Sequence, residues 1–223
     1  MTPTFDKIHN KFKLNGAHYN FEELKEVAYS FIKEGTSFEN VTGDFLLDWL
    51  DHHDYITVNT SGSTGKPKCI KLNKQAMVNS AIATGDFFGL KPGDTAIDCL
   101  PSNYIAGKMM LVRAMILGLE IDCVNPTTKP IFEISKAYDF CAMIPLQLMN
   151  CIHNMKHIKT IIVGGATVYD ELLNLLKTAP NRVFETYGMT ETVTHVAVKQ
   201  LETASHKGET IFKALPNILF SKD

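Results

Sequence analysis

Between residues 95 and 186 short apolar runs alternate with longer amphipathic stretches, and this alternation restricts the chain to very few folds. Residues 95–100, 120–124, 138–144, 159–163 and 182–186 read as strands. Residues 104–117, 145–153 and 168–177 read as helices. A helix between successive strands is the crossover that a parallel pair requires, so the class is α/β, a layered and largely parallel sheet flanked by helices. Ligands of such sheets gather at the carboxyl ends of the strands.

Upstream, Asn20 with Glu23 three residues later makes a capping-box start. Phe21, Leu24, Val27, Ala28 and Phe31 then recur at helical spacing as far as Gly35. A second helix is expected from Thr42 to His52-His53, with Phe45, Leu46 and Leu50 on one face. The first 19 residues read as an extended arm with a short strand around residues 11–14. Residues 74–88 read as a helix ended by Gly89. Three segments follow: an arm with helices (1–54), a ligand-binding core (55–200), and the start of a further subdomain (201–223).

Thr60-Ser61-Gly62-Ser63-Thr64-Gly65-Lys66-Pro67-Lys68 lies between two alternating apolar runs, so strand, loop and strand are expected. Hydroxyls, glycines and lysines contribute little to a core but suit a polyphosphate: glycine lets backbone N–H groups approach an anion, hydroxyls donate, and ammonium groups neutralise charge. The P-loop pattern fails, because Pro67 stands where Ser or Thr must follow Gly65-Lys66. A plain Ser/Gly hairpin turn is the competing reading.

Composition narrows the partners. A net charge of −2 supplies no basic field, so neither nucleic acid nor an anionic membrane is expected, and oligomeric state stays open. The five cysteines lack C-x-x-C spacing and lie mostly in apolar runs, as reduced thiols of a cytoplasmic protein do. No signal-peptide pattern opens the chain. Adjacent His52 and His53, and the pair His153 and His157, read as ordinary polar positions rather than metal ligands.

Residue for residue, the loop from Thr60 to Lys68 resembles the phosphate-binding signature of the adenylate-forming superfamily, which includes acyl- and aryl-CoA synthetases. The second motif of that superfamily is matched by Glu185-Thr186-Tyr187-Gly188-Met189-Thr190-Glu191, and Gly164-Gly165-Ala166 resembles its glycine turn. The resemblance implies ATP or AMP, Mg²⁺ and coenzyme A as cofactors and a small carboxylic acid as substrate. It also implies that Thr60, Ser61, Gly62, Ser63, Thr64, Gly65, Lys66 and Lys68 hold phosphates, with Lys66, Thr190 and Glu191 in catalytic roles and Glu191 as the Mg²⁺ ligand. Tyr187 offers a flat face to adenine, while Gly188, Gly164, Gly165, Ala166, Glu185 and Thr186 surround the nucleotide.

On the acid side the resemblance places Tyr104, Gly107, Met110, Arg113, Gly165 and Met189. Tyr104 stands where the family often has histidine. In o-succinylbenzoate CoA ligases of menaquinone synthesis, an arginine at the place of Arg113 meets the substrate's second carboxylate. A surface arginine on an amphipathic helix is the alternative. The family's ribose-binding Asp, hinge and catalytic Lys have no counterpart here. The implied activity is acid activation to an acyl-adenylate and then a CoA thioester, and this chain alone is expected to be nearly inactive as a ligase. A non-catalytic nucleotide binder and a domain that loads a carrier protein are the other readings.

Overall fold

The computed structural model describes residues 3–59, 69–131, 133 and 135–221. The elements are β1 (Lys13–Leu14), β2 (Ala17–His18), α1 (Phe21–Glu34), α2 (Ser37–Leu50), β3 (Tyr55–Asn59), β4 (Cys69–Asn73), α3 (Lys74–Phe88) and β5 (Thr95–Asp98). They continue with α4 (Ile105–Leu117), β6 (Glu120–Cys123), β7 (Tyr138–Met143), α5 (Pro145–Cys151), β8 (Ile158–Val163), α6 (Asp170–Leu176), β9 (Arg182–Gly188), β10 (His195–Gln200) and β11 (Lys213–Ala214).

Nine strands form one sheet in the order β11-β10-β9-β8-β7-β5-β6-β1-β2. Every pairing from β1 through β9 is parallel, whereas β2, β10 and β11 add antiparallel edges. The largely parallel α/β expectation holds. β3 and β4 pair separately as a hairpin, Tyr55 opposite Asn73 and Asn59 opposite Cys69.

Period-two alternation along the strands divides the core into two layers. Ala96, Phe140, Ala142, Ile162 and Phe184 face α1 to α4, while Ile97, Cys141, Met143, Ile161 and Val183 face α5 and α6. Phe88 closes the C-terminal end of α3 onto the sheet, 5.5 Å from the Phe140 ring and 5.1 Å from that of Phe184. Helix α4 is buried from Gly107 to Ile116, Lys108 and Arg113 included, as a mostly apolar helix must be.

Several boundaries move from the expected ones for local reasons. Helix α2 starts at Ser37 instead of Thr42, because the Thr36 backbone N–H and hydroxyl both donate to Glu39 Oε2 at 2.7 Å, a capping box five residues earlier. Thr42 sits inside the helix and donates to the Phe38 carbonyl. The helix expected over 145–153 is α-helical only to Cys151 and tightens to a 3₁₀ turn at Ile152–Asn154. The short strand expected around residues 11–14 is present as β1, which joins the sheet beside β6 with Phe12 and Leu14 buried. The Thr203 N–H donates to the His206 carbonyl, and β11 extends the same sheet beyond β10.

Among the described residues no helix is long and apolar enough to cross a membrane. All five cysteines are free thiols, with Cys99, Cys141 and Cys151 buried, Cys123 half-buried and Cys69 exposed.

Candidate active site

The parallel strands aim their carboxyl ends at one cavity of about 860 Å³. Its wall is made of the turns that follow β5 (Leu100, Pro101, Tyr104), β6 (Pro126, Thr127, Thr128), β7 (Ile144), β8 (Gly164, Gly165, Ala166) and β9 (Met189, Thr190, Glu191). Gln147 ties three of these turns together. Its Nε2 donates to the carbonyls of Cys99 at 2.8 Å and Thr127 at 2.9 Å, and its Oε1 accepts from the Ile144 N–H.

Small residues are needed where β8 meets β9. A methyl group on Gly164 would overlap Thr186 Oγ1, which donates to the Val163 carbonyl at 3.2 Å. Gly165 adopts φ +78°, a conformation that glycine takes without strain. Gly188 lies against the backbone of Thr194 and His195, where no side chain fits.

Beyond Gly188 the chain folds back on itself. Thr190–Thr192 make one 3₁₀ turn, and Val193, at φ 71° and ψ −57°, occupies a classic γ-turn that strains a β-branched residue. The Thr192 hydroxyl braces the bend through contacts with the carbonyls of Met189 at 2.9 Å and Thr194 at 2.8 Å. This bend carries Thr194 and His195 into the cavity wall beside Thr190 and Glu191.

The structure therefore brings Tyr104, Arg113, Gly164, Gly165, Ala166, Thr186, Tyr187, Gly188, Met189, Thr190 and Glu191 to one cavity. Tyr187 is 52% exposed, with its ring centroid 6.0 Å from that of Phe212. Three expected residues do not line it. Gly107 is a packing residue, because its Cα faces the Leu100 and Pro101 carbonyls at distances that leave no room for a side chain. Met110 is buried in the core and meets Arg113 Nη1 through its sulfur at 3.6 Å. Glu185 forms an ion pair with Lys199 at 2.7 Å. Thr60, Ser61, Gly62, Ser63, Thr64, Gly65, Lys66 and Lys68 lie outside the described residues, but Asn59, the last residue of β3, is in the cavity wall.

Arg113 is not a surface residue: it is 1% exposed. Its Nη2 contacts Thr194 Oγ1 and His195 Nδ1, each at 3.4 Å, and its Nε has no hydrogen-bond partner among the described residues. Burial pulls its pKa down to about 10, partly offset by Asp98, so it stays charged at neutral pH. Burial pushes Asp98 up to about 8, against a hydrogen bond from the Leu100 N–H and the charge of Arg113. Burial and the Arg113 charge hold His195 neutral. No motif in the sequence singles out His195, Thr194, Asp98 or Gln147. The alternation of residues 192–198, Thr-Val-Thr-His-Val-Ala-Val, is the signal that a strand follows the motif.

A family model described as "AMP-binding enzyme" matches residues 19–219. The chain belongs to this family of AMP-binding enzymes. It is 33% identical to an acyl-CoA synthetase (AMP-forming)/AMP-acid ligase II-like protein from Dyadobacter fermentans, with a TM-score of 0.76 over 89% of this chain and 58% of that one. It is 26% identical over 208 residues to a 2-succinylbenzoate-CoA ligase of Listeria monocytogenes, covering 90% of this chain and 42% of that protein. O-succinylbenzoate coenzyme A synthetase of Bacillus subtilis, solved with ATP and magnesium, shares the fold at 23% identity and a TM-score of 0.55 over 64% of this chain and 31% of that one. The chain thus spans under half the length of the Listeria ligase.

The donor set of this AMP-binding enzyme fits a magnesium ion brought in by nucleotide. Among the described residues no group of three His, Cys, Asp or Glu could hold a metal alone. Glu191 is a carboxylate on the cavity wall, and a nucleotide-borne magnesium ion takes one or two carboxylates beside phosphate oxygens and water.

Proposed function

We propose that this chain binds ATP and a carboxylic acid for an acid-thiol ligase, and that the acid is an aromatic diacid of the 2-succinylbenzoate type. In the reaction the acid's carboxylate attacks the α-phosphorus and pyrophosphate leaves. The thiol of coenzyme A then displaces AMP from the acyl-adenylate to give the thioester. The observation that carries the reading is a buried, charged Arg113 in the wall of the same cavity that presents Tyr187, Thr190 and Glu191.

Each side chain has a limited task. Tyr187 stacks on adenine, Thr190 donates to the α-phosphate, and Glu191 would hold magnesium. When bound, that ion neutralises phosphate charge. Arg113 takes the carboxylate remote from the reaction, which orients the other one toward phosphorus, and orientation is a large part of what such a displacement requires. The Listeria relative's name and the Bacillus structure support this choice of acid.

Calorimetric titration with two non-hydrolysable conjugates tests the reading: sulfamoyl adenosine carrying the 2-succinylbenzoyl group, and the same molecule carrying benzoyl. Binding of the first at least about tenfold tighter supports it, since a carboxylate paired to a buried guanidinium contributes about 1.5–3 kcal/mol. Equal affinities would remove the diacid, and no binding of either would remove the nucleotide.

A further inference from the structure

Arg113, His195 and Thr84 form a line of polar side chains running from the cavity wall into the protein, contributed by α4, β10 and α3. The protons along this line can be assigned. The Thr84 hydroxyl donates its single proton to the Ser80 carbonyl at 2.9 Å, so it offers only a lone pair to His195 Nε2 at 3.4 Å. Nε2 must therefore carry the ring proton. The other nitrogen agrees: His195 Nδ1 lies 3.4 Å from Arg113 Nη2, which has donors and no acceptor, and 3.5 Å from Thr194 Oγ1, whose lone pair already takes an Arg113 proton and whose own proton is free to donate, so Nδ1 accepts.

We propose that neutral His195, as its Nε2–H tautomer, is a positioning residue that aims the Arg113 guanidinium at the acid's second carboxylate. The inference rests on the diacid reading above. Among the described residues, the groups that contact the Arg113 guanidinium are neutral: Met110 Sδ, Thr194 Oγ1 and His195 Nδ1. An aspartate or glutamate at position 195 could hold the guanidinium equally well but would cancel the charge the ligand needs. A neutral acceptor orients Arg113 and leaves its charge for the ligand. His195 is itself largely buried, its ring held between Thr84 at one nitrogen and Arg113 and Thr194 at the other.

The test uses the 2-succinylbenzoyl and benzoyl sulfamoyl adenosine conjugates on three variants, each checked by thermal unfolding. His195→Phe keeps the ring volume and removes both nitrogens. It should weaken the 2-succinylbenzoyl conjugate about tenfold and the benzoyl conjugate less than about twofold. His195→Asn is smaller but keeps an acceptor near the Nδ1 position, and should retain the preference within about threefold. A ring that only fills space would give the reverse order, with Phe harmless and Asn damaging, and would overturn the proposal. Arg113→Met separates the two levels of inference. If it erases the preference while His195→Phe does not, His195 has no positioning role and the diacid reading survives; if it leaves the preference intact, the diacid reading fails and this proposal with it. Nitrogen-15 NMR of the wild-type histidine ring needs no variant: a neutral Nε2–H ring is expected, and an Nδ1–H tautomer or an imidazolium at neutral pH would also overturn it.

Discussion

Arg113 Nη2 lies 3.4 Å from His195 Nδ1, although 82 positions separate them in the sequence. The contact exists because α4 runs under the sheet while the strained bend at Val193 returns the chain from β9 into β10. One polar line thereby joins the middle of a buried helix to the residues just past the nucleotide motif.

Asp98 is the first place where this burial should be measurable. Its carboxyl is pushed from 3.8 to about 8, so the folded chain holds a proton there that the unfolded chain releases. Stability should accordingly fall as pH rises from about 4 to about 8, with a ceiling of about 6 kcal/mol at roughly 1.4 kcal/mol per pKa unit. Asp98→Asn keeps the oxygen that accepts from the Leu100 N–H and removes the titration. Urea unfolding of wild type and variant at pH 5 and pH 8 checks this. Wild type should lose midpoint concentration over that range, and the variant should lose clearly less.

Gly188 and Gly165 should respond differently to alanine. At Gly188 a methyl group meets the backbone of Thr194 and His195, which cannot step aside without moving the bend. At Gly165 the space is open apart from ordinary contact with Ile144 at 3.6 Å, and only the φ of +78° opposes substitution. Gly165→Ala should cost about 1–2 kcal/mol of backbone strain. Gly188→Ala should cost more and lower the affinity for the 2-succinylbenzoyl conjugate by displacing His195. Thermal unfolding with calorimetry distinguishes the two.

Lys74 and Asp51 form a second test, away from the cavity. Lys74 is fully buried and donates to Asp51 Oδ1 at 2.6 Å. Burial raises the Asp51 pKa, but the hydrogen bonds from Lys74 and His53 prevail and bring it to about 2. Its contribution is present above about pH 4 and is lost as pH falls toward 2. Asp51→Asn should destabilise by less than the roughly 3–5 kcal/mol typical of a fully buried pair, because the Asp51 side chain is 35% exposed. Chemical unfolding at pH 7 measures the loss, which should shrink at pH 2.

Much of the fold was legible because strands buried on both faces read as short continuous apolar runs between helical stretches, as Phe140, Cys141, Ala142 and Met143 do. Thr36 with Glu39 three residues later is a capping-box spacing visible in the sequence, whereas Thr42 lies inside α2. Of the site, the glycines and Tyr187 could be read because their chemistry is local. His195 could not, because its role depends on a γ-turn that Val193 adopts against its own preference and on an arginine far away in sequence. The burial of Arg113 was half-visible: from Met109 to Leu117 every other residue of the helix is apolar, which leaves that arginine little surface to reach.

The location of the nucleotide is the claim on which the rest depends, and AMP titration of wild type and Tyr187→Ala measures it most directly. Tyr187 is a half-exposed aromatic at the end of β9, and loss of a base-stacking platform costs about 1–3 kcal/mol. AMP should bind the wild-type chain and bind Tyr187→Ala about tenfold more weakly, with the unfolding midpoint little changed. AMP binding of equal strength in both proteins would put the adenine elsewhere and contradict the assignment of this cavity.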